Sequence, residues 1–282
     1  MTKYVKLIGN HLRHSISPVF QQAAFDKYEL DVQYGLLEIE AEQIEIVMQR
    51  LRQSDYLGAN VTVPYKQTVM PFLDEMDDLS TRIGAVNTIV NRQGRLTGYN
   101  TDADGFLQAL VQESGFDPKN KRVVILGTGG AARAAGFIII KAEASALTIV
   151  GRNPEHIEKL RLSLIASGMN VDTSTFDDKK LASILAQGDL LVNCTSVGMR
   201  YSVTEGQSPL AANMLPYGIF VYDVVYNPQM TQLLKDAQQV GAKTLGGLPM
   251  LVYQGAAAFE LWTQKKAPVD VMLRVARQAM KG

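Results

Sequence analysis

At 282 residues the chain has reached the length at which a single hydrophobic core tends to split, so about two domains are expected. Its 46% hydrophobic and 20% charged residues exclude a disordered or fibrous protein. Lys plus Arg and Asp plus Glu each number 28, which leaves no net field to hold nucleic acid. The longest apolar run, residues 134–140, is far short of a bilayer span. The first apolar stretch is broken by charges before it reaches the length of a secretory signal, so a cytoplasmic protein without a membrane partner is expected. One cysteine, Cys194, and three histidines, His11, His14 and His156, are too few for a disulfide or a dedicated zinc site, and no metal is expected.

Taken in chain order, apolar or β-branched runs of strand length alternate with stretches of helical period, the pattern of α/β architecture. Residues 4–9, 33–39 and 59–63 read as strands, separated by helical patterns at 19–28 and 42–53. Residues 85–91 and 96–99 form a hairpin pattern around Gln93-Gly94. A helical stretch at 101–114 and a polar loop at 117–121 lead into a second series of strands at 122–126, 147–150, 189–194, 220–225 and 243–245, with helices between them. Two further helical patterns, 250–265 and 269–279, follow the last strand. The expectation is a mixed α/β domain of residues 1–102 and 248–282, interrupted by a doubly wound, Rossmann-type dinucleotide-binding domain at 103–247.

The strongest chemical signal is V-V-I-L-G-T-G-G-A-A-R-A at 123–134, where a buried strand, a glycine turn and an apolar helix follow one another. Gly127 permits the tight turn, Gly129 lets backbone approach a pyrophosphate, and Ala132 allows close helix packing. The helix that follows turns free N–H groups and its positive dipole end toward the phosphates. A glycine-rich turn without a ligand is the plain alternative. At the end of the second strand an NAD site usually carries a carboxylate, whereas here Arg152 follows Gly151. A guanidinium grips a 2′-phosphate by two charge-assisted bonds, which favours NADP, although Glu155 close by leaves NAD open.

None of the eleven tyrosines is followed four residues later by lysine, so the short-chain dehydrogenase dyad is absent and catalytic groups are sought upstream of residue 127. In His14-Ser15-Ile16-Ser17-Pro18 two hydroxyls adjoin a helix start with proline in its first position, which suits a carboxylate; a simple helix cap needs only one of them. In G-A-N-V-T-V-P-Y-K at 58–66, Asn60 and Thr62 share one face of a strand that delivers Lys66 at its end. Lys66 alone is equally compatible with a surface lysine, and Asp102 with a helix cap.

Together with G-A-V-N-T at 84–88, G-Y-N-T-D at 98–102, N-C-T-S-V-G-M at 193–199, D-V-V-Y-N-P at 223–228 and G-G-L-P-M-L-V-Y-Q-G from 246, these segments resemble the shikimate dehydrogenase family over nearly the whole chain. The resemblance implies NADP-dependent, reversible reduction of 3-dehydroshikimate to shikimate on the route to chorismate and the aromatic amino acids. It implies that Ser15 and Ser17 bind the carboxylate and that Asn60, Thr62, Asn87, Asp102 and Gln254 bind the ring hydroxyls, with Tyr226 lining the same pocket. Lys66 would be the catalytic lysine with Asp102 as its partner. Gly127, Gly129, Gly130, Ala131, Arg152, Thr195 and Gly247 would hold the cofactor. The family often has Asn-Arg-Thr after the second strand with a further basic residue beyond, where this chain has Gly151-Arg152-Asn153 and His156, so quinate activity and NAD use remain the neighbouring alternative. A ligand-sensing NADP-binding module without turnover is the reading from another class, because a fold alone never proves an enzyme. The lysine and aspartate argue against it. Oligomeric state leaves no readable mark, and a homodimer stays open.

Overall fold

The computed structural model describes residues 2–166 and 168–281. In the first part of the chain β1 (Lys3–Gly9), α1 (Ser17–Lys27), β2 (Val32–Glu38), α2 (Ile44–Arg50) and β3 (Tyr56–Val61) alternate, followed by the two-residue β4 (Glu75–Met76), α3 (Asp78–Ile83), the hairpin β5 (Thr88–Arg92) and β6 (Arg95–Tyr99), and α4 (Thr101–Ser114). The sheet order is β2-β1-β3-β5-β6-β4. Strands β2, β1 and β3 are parallel, whereas β5 runs antiparallel to both β3 and β6. That reversal has a consequence for the site. The carboxyl ends of β3 and β6 and the start of β5 fall at one edge of the sheet, with Asn60 opposite Thr88 and Thr88 opposite Tyr99.

The second sheet is built from β7 (Arg122–Leu126), α5 (Gly130–Lys141), β8 (Ala146–Gly151), α6 (Pro154–Ile165), β9 (Val171–Thr175), α7 (Leu181–Ala186), β10 (Leu190–Asn193), β11 (Phe220–Asp223), α8 (Gln232–Gln239) and β12 (Lys243–Leu245). Its order, β12-β11-β10-β7-β8-β9, is parallel throughout and reverses direction between β7 and β10, the doubly wound arrangement expected from the sequence. Val123 to Leu126 and all of β10 are buried because helices cover both faces of such a sheet. Each fully buried Leu, Ile or Val contributes about 1.5–3 kcal/mol relative to exposure. Helices α9 (Leu248–Thr263) and α10 (Val269–Ala279) complete the chain, and α10 packs on α1.

The chain divides into two compact units, Met1–Gly105 with Val252–Gly282, and Phe106–Leu251. Both crossings fall inside a helix, α4 and α9, a few residues past the expected limits of 102/103 and 247/248. Residues Ile8, Ile44, Met48, Val61 and Ile89 belong to the core of the first unit, and Val124, Leu126, Leu191, Val221 and Leu233 to that of the second. Strand β9, which the sequence pattern does not reveal, is a polar edge strand in which only Val171 and Ser174 are buried. Among the described residues no helix is long and apolar enough to cross a membrane, and no group of three or more His, Cys, Asp or Glu side chains could hold a metal ion.

Candidate active site

The edge where β3 ends and β5 begins carries a continuous set of buried polar side chains. Lys66 lies in the turn after β3, anchored by its carbonyl, which accepts the Val86 N–H at 2.8 Å. Its Nζ donates to Asp102 Oδ2 at 2.6 Å, and the two side chains are 21% and 11% exposed. Asp102 sits in the first turn of α4, where a carboxylate is favoured by the helix dipole. Its other oxygen accepts Asn87 Nδ2 at 2.8 Å. The same amide nitrogen lies 3.0 Å from Thr101 Oγ1 and 3.2 Å from Gln254 Oε1, so two hydrogens are shared among three acceptors. Asn87 Oδ1 accepts the Thr101 N–H at 2.7 Å, which fixes the orientation of the amide.

Gln254 reaches this cluster from α9 because α4 and α9 touch at Gly105. A Cβ there would stand 2.5 Å from the Gln254 nitrogen, so only glycine permits the approach. Asn60, on β3, donates to Asn87 O at 3.2 Å and Thr88 Oγ1 at 3.0 Å while its Oδ1 accepts the Tyr34 hydroxyl at 2.8 Å. Both of its amide hydrogens are therefore used by the protein, and a ligand would find only a second lone pair on Oδ1. Burial raises the Tyr34 phenol, which keeps it a neutral donor. Thr88, Thr101 and Tyr34 are network members given no role from the sequence; the two threonines stand inside the quoted motifs, whereas Tyr34 carried no signal.

Thr62 is one residue past β3 and makes no hydrogen bond to this cluster; its N–H is held by Ile8 O at 2.9 Å. Ser17 is buried at the first position of α1, and its N–H donates to Ser15 Oγ at 3.3 Å. The N-cap residue of α1 is Ile16, with no side-chain cap, so neither serine is spent as a cap.

In the second unit the turn after β7 takes φ +110° at Gly127, where a Cβ would stand 3.0 Å from the Cys194 carbonyl oxygen. Gly129 is the extended N-cap residue of α5, without a side-chain cap, and open space lies where its Cβ would be. The first turn of α5, with Gly130 and Ala131, thus presents uncapped N–H groups beside a space that a phosphate group can enter. Ala132 is buried. Arg152 is exposed directly after β8, and Asn153 caps α6 by accepting the N–H groups of Glu155 and His156 at 2.8 and 3.2 Å. Thr195 follows β10 and bonds Asn193 Oδ1 through both its N–H, at 3.0 Å, and its hydroxyl, at 2.7 Å. Tyr226 follows β11 and is partly buried, its phenol pushed up by desolvation. Gly247 is buried and donates to Val225 O at 3.2 Å.

Three family models match along the chain in order: the shikimate dehydrogenase substrate binding domain at residues 7–89, shikimate / quinate 5-dehydrogenase at 109–214, and the shikimate 5′-dehydrogenase C-terminal domain at 247–277. The shikimate dehydrogenase (NADP(+)) of Moorella thermoacetica is 43% identical over 280 residues, 99% of this chain and 94% of that protein. The chain belongs to the shikimate dehydrogenase family. Among solved structures, shikimate 5-dehydrogenase from Listeria monocytogenes in complex with shikimate and NAD is 35% identical, with a TM-score of 0.91 and coverage of 97% of this chain and 96% of that one. The Thermus thermophilus enzyme in complex with NADP(H) and shikimate is 33% identical, with a TM-score of 0.88 and coverage of 99% and 100%.

Proposed function

We propose that this chain is an NADP-dependent shikimate dehydrogenase that reversibly reduces 3-dehydroshikimate to shikimate in the biosynthesis of chorismate and the aromatic amino acids. The observation that carries this reading is the Lys66–Asp102 pair, held from behind by Asn87. Reduction of a ketone places negative charge on oxygen as hydride arrives at carbon, and the oxygen then needs a proton. The Lys66 ammonium stabilises that charge and donates the proton, and in the oxidation direction the neutral amine accepts it. Asp102 orients the ammonium and bonds a neighbouring ring hydroxyl. Asn87 and Gln254 bind ring hydroxyls beside it, Thr62 lines the pocket, Ser15 and Ser17 take the carboxylate, and Tyr226 of the second unit is a further substrate-binding residue. Asn60, with both amide hydrogens committed to Asn87 O and Thr88 Oγ1, contributes chiefly by holding Asn87 in place.

The residues of the second unit fit a bound dinucleotide, as the uncapped start of α5 and the open space at Gly129 indicate. Gly127, Gly129, Gly130 and Ala131 would hold its pyrophosphate, Arg152 its 2′-phosphate, and Thr195 and Gly247 its nicotinamide half. Hydride exchange at the substrate carbon is the chemistry that the nicotinamide supplies when bound. The same proposal takes the enzyme as cytoplasmic; light scattering on the purified protein, which gives the mass of one chain or of two, decides whether it is a homodimer.

The test is absorbance at the reduced-nicotinamide band with shikimate or quinate, each with NADP or NAD. Rapid NADP reduction with shikimate supports the reading. Preferential activity with quinate or NAD replaces it by the broader relatives, and no turnover in any pairing leaves a binding module.

A further inference from the structure

Strands β10 and β11 end in register at Asn193 and Asp223, and the loops that leave them carry Thr195 and Tyr226. Asp223 has no exposed surface. Its Oδ1 accepts Asn193 Nδ2 at 2.9 Å and the Val225 N–H at 3.0 Å, and its Oδ2 accepts the Thr231 hydroxyl at 2.6 Å. Asn193 passes the constraint on, because its Oδ1 accepts the N–H and the hydroxyl of Thr195, whose Oγ1 in turn accepts the Val197 N–H at 3.2 Å. On the other side Val225 O accepts the Gly247 N–H at 3.2 Å. One buried carboxylate therefore joins the starts of both loops, the N-cap of α8 at Thr231 and the segment at Gly247.

We infer that Asp223 is a positioning residue for the nicotinamide half of the cofactor site, acting through Asn193 on Thr195 and through Val225 on Gly247. The inference rests on the cofactor reading given above. The chemistry requires a carboxylate rather than an amide. All three partners donate hydrogen bonds to Asp223, and an amide in its place would point an N–H at one of these donors and leave two donors facing each other in a buried site. Burial pushes the Asp223 carboxyl up to about 6 against the lowering pull of its three hydrogen bonds. The other ionisable groups nearby are the Cys194 thiol at the end of β10, raised by burial and by Asp223, and the Tyr222 phenol on β11, raised by burial and by Cys194. Neither supplies a positive charge that would take over the role.

The test compares wild type with Asp223→Asn for NADPH binding by fluorescence and for steady-state kinetics with shikimate and NADP. The expected result is a rise in KM for NADP of about tenfold, with KM for shikimate within twofold of wild type. An unaltered KM for NADP, or an equal rise in both KM values, overturns the inference. If Asp223→Asn does not fold, Thr231→Val removes one donor from the carboxylate at a residue on the far side of it. There a rise in KM for NADP of about threefold with KM for shikimate unaltered is expected, and no change overturns the inference. Failure of wild type itself to bind NADPH would instead sink the cofactor reading, so the two failures are distinguishable.

Discussion

Lys66→Ala removes the ammonium that lies 2.6 Å from Asp102 Oδ2 and leaves the rest of the network in place, since Asp102 Oδ1 keeps its bond from Asn87. Loss of a general acid or base lowers turnover by about 10²–10⁴-fold, equivalent to about 3–5 kcal/mol of transition-state stabilisation. Substrate affinity should change far less, because the residues proposed to bind the ground state, Ser15, Ser17, Asn87 and Gln254, are unaltered. The variant also loses an ion pair that is 21% and 11% exposed. That burial puts the stability cost between the limits for surface and buried pairs, about 2 kcal/mol. The assay is therefore a pair of measurements: kcat and KM from NADP reduction with shikimate, and urea unfolding under the same conditions. A kcat within threefold of wild type in a folded variant would refute the assignment of Lys66. A large loss confined to KM would show that the lysine binds substrate without moving a proton.

Arg152→Ala should lower the preference for NADP over NAD by about tenfold or more through the loss of charge-assisted bonds to the 2′-phosphate, read as the ratio of kcat/KM values; an unchanged ratio assigns the phosphate grip elsewhere. Gly127→Ala forces a Cβ into φ +110° and to 3.0 Å from the Cys194 carbonyl oxygen, so a destabilisation of about 2 kcal/mol is expected in denaturant unfolding, with weakened cofactor binding. Asp223 gives a pH dependence of defined sign. Its carboxyl is raised from 3.8 to about 6 in the folded protein, so its contribution to stability is fully present below pH 3.8 and is lost as pH rises through 6. Between pH 5 and 7.5 wild type should lose roughly 1 kcal/mol relative to Asp223→Asn, measured by urea unfolding across that range; parallel curves for the two proteins would show that the group titrates normally.

The local sequence determined much of this protein. Apolar runs and their periods marked 10 of the 12 strands among the described residues, because a strand or helix buried by its neighbours must carry its own hydrophobic face. Helices 101–114 and 269–279 and strands 122–126 and 243–245 came out at their observed bounds. The glycine turn at 127–129 was legible because φ +110° and an open approach to backbone leave little choice of residue. The polar edge strand β9 and the two-residue β4 were not legible, since neither carries an alternating apolar face. The site followed the same division. Lys66, Asp102, Asn87 and Gln254 were named, Asn87 and Gln254 through the family resemblance alone, but separations of 36 positions between Lys66 and Asp102 and 167 between Asn87 and Gln254 left their contacts to the tertiary structure. Those contacts depend on the antiparallel register of β3, β5 and β6 and on the close approach of α9 at Gly105, both of which are non-local. Tyr34 and Asp223 acquire their roles only through burial, because a phenol or a carboxylate in water has no need of one particular partner, whereas a buried one must find its hydrogen bonds within the fold.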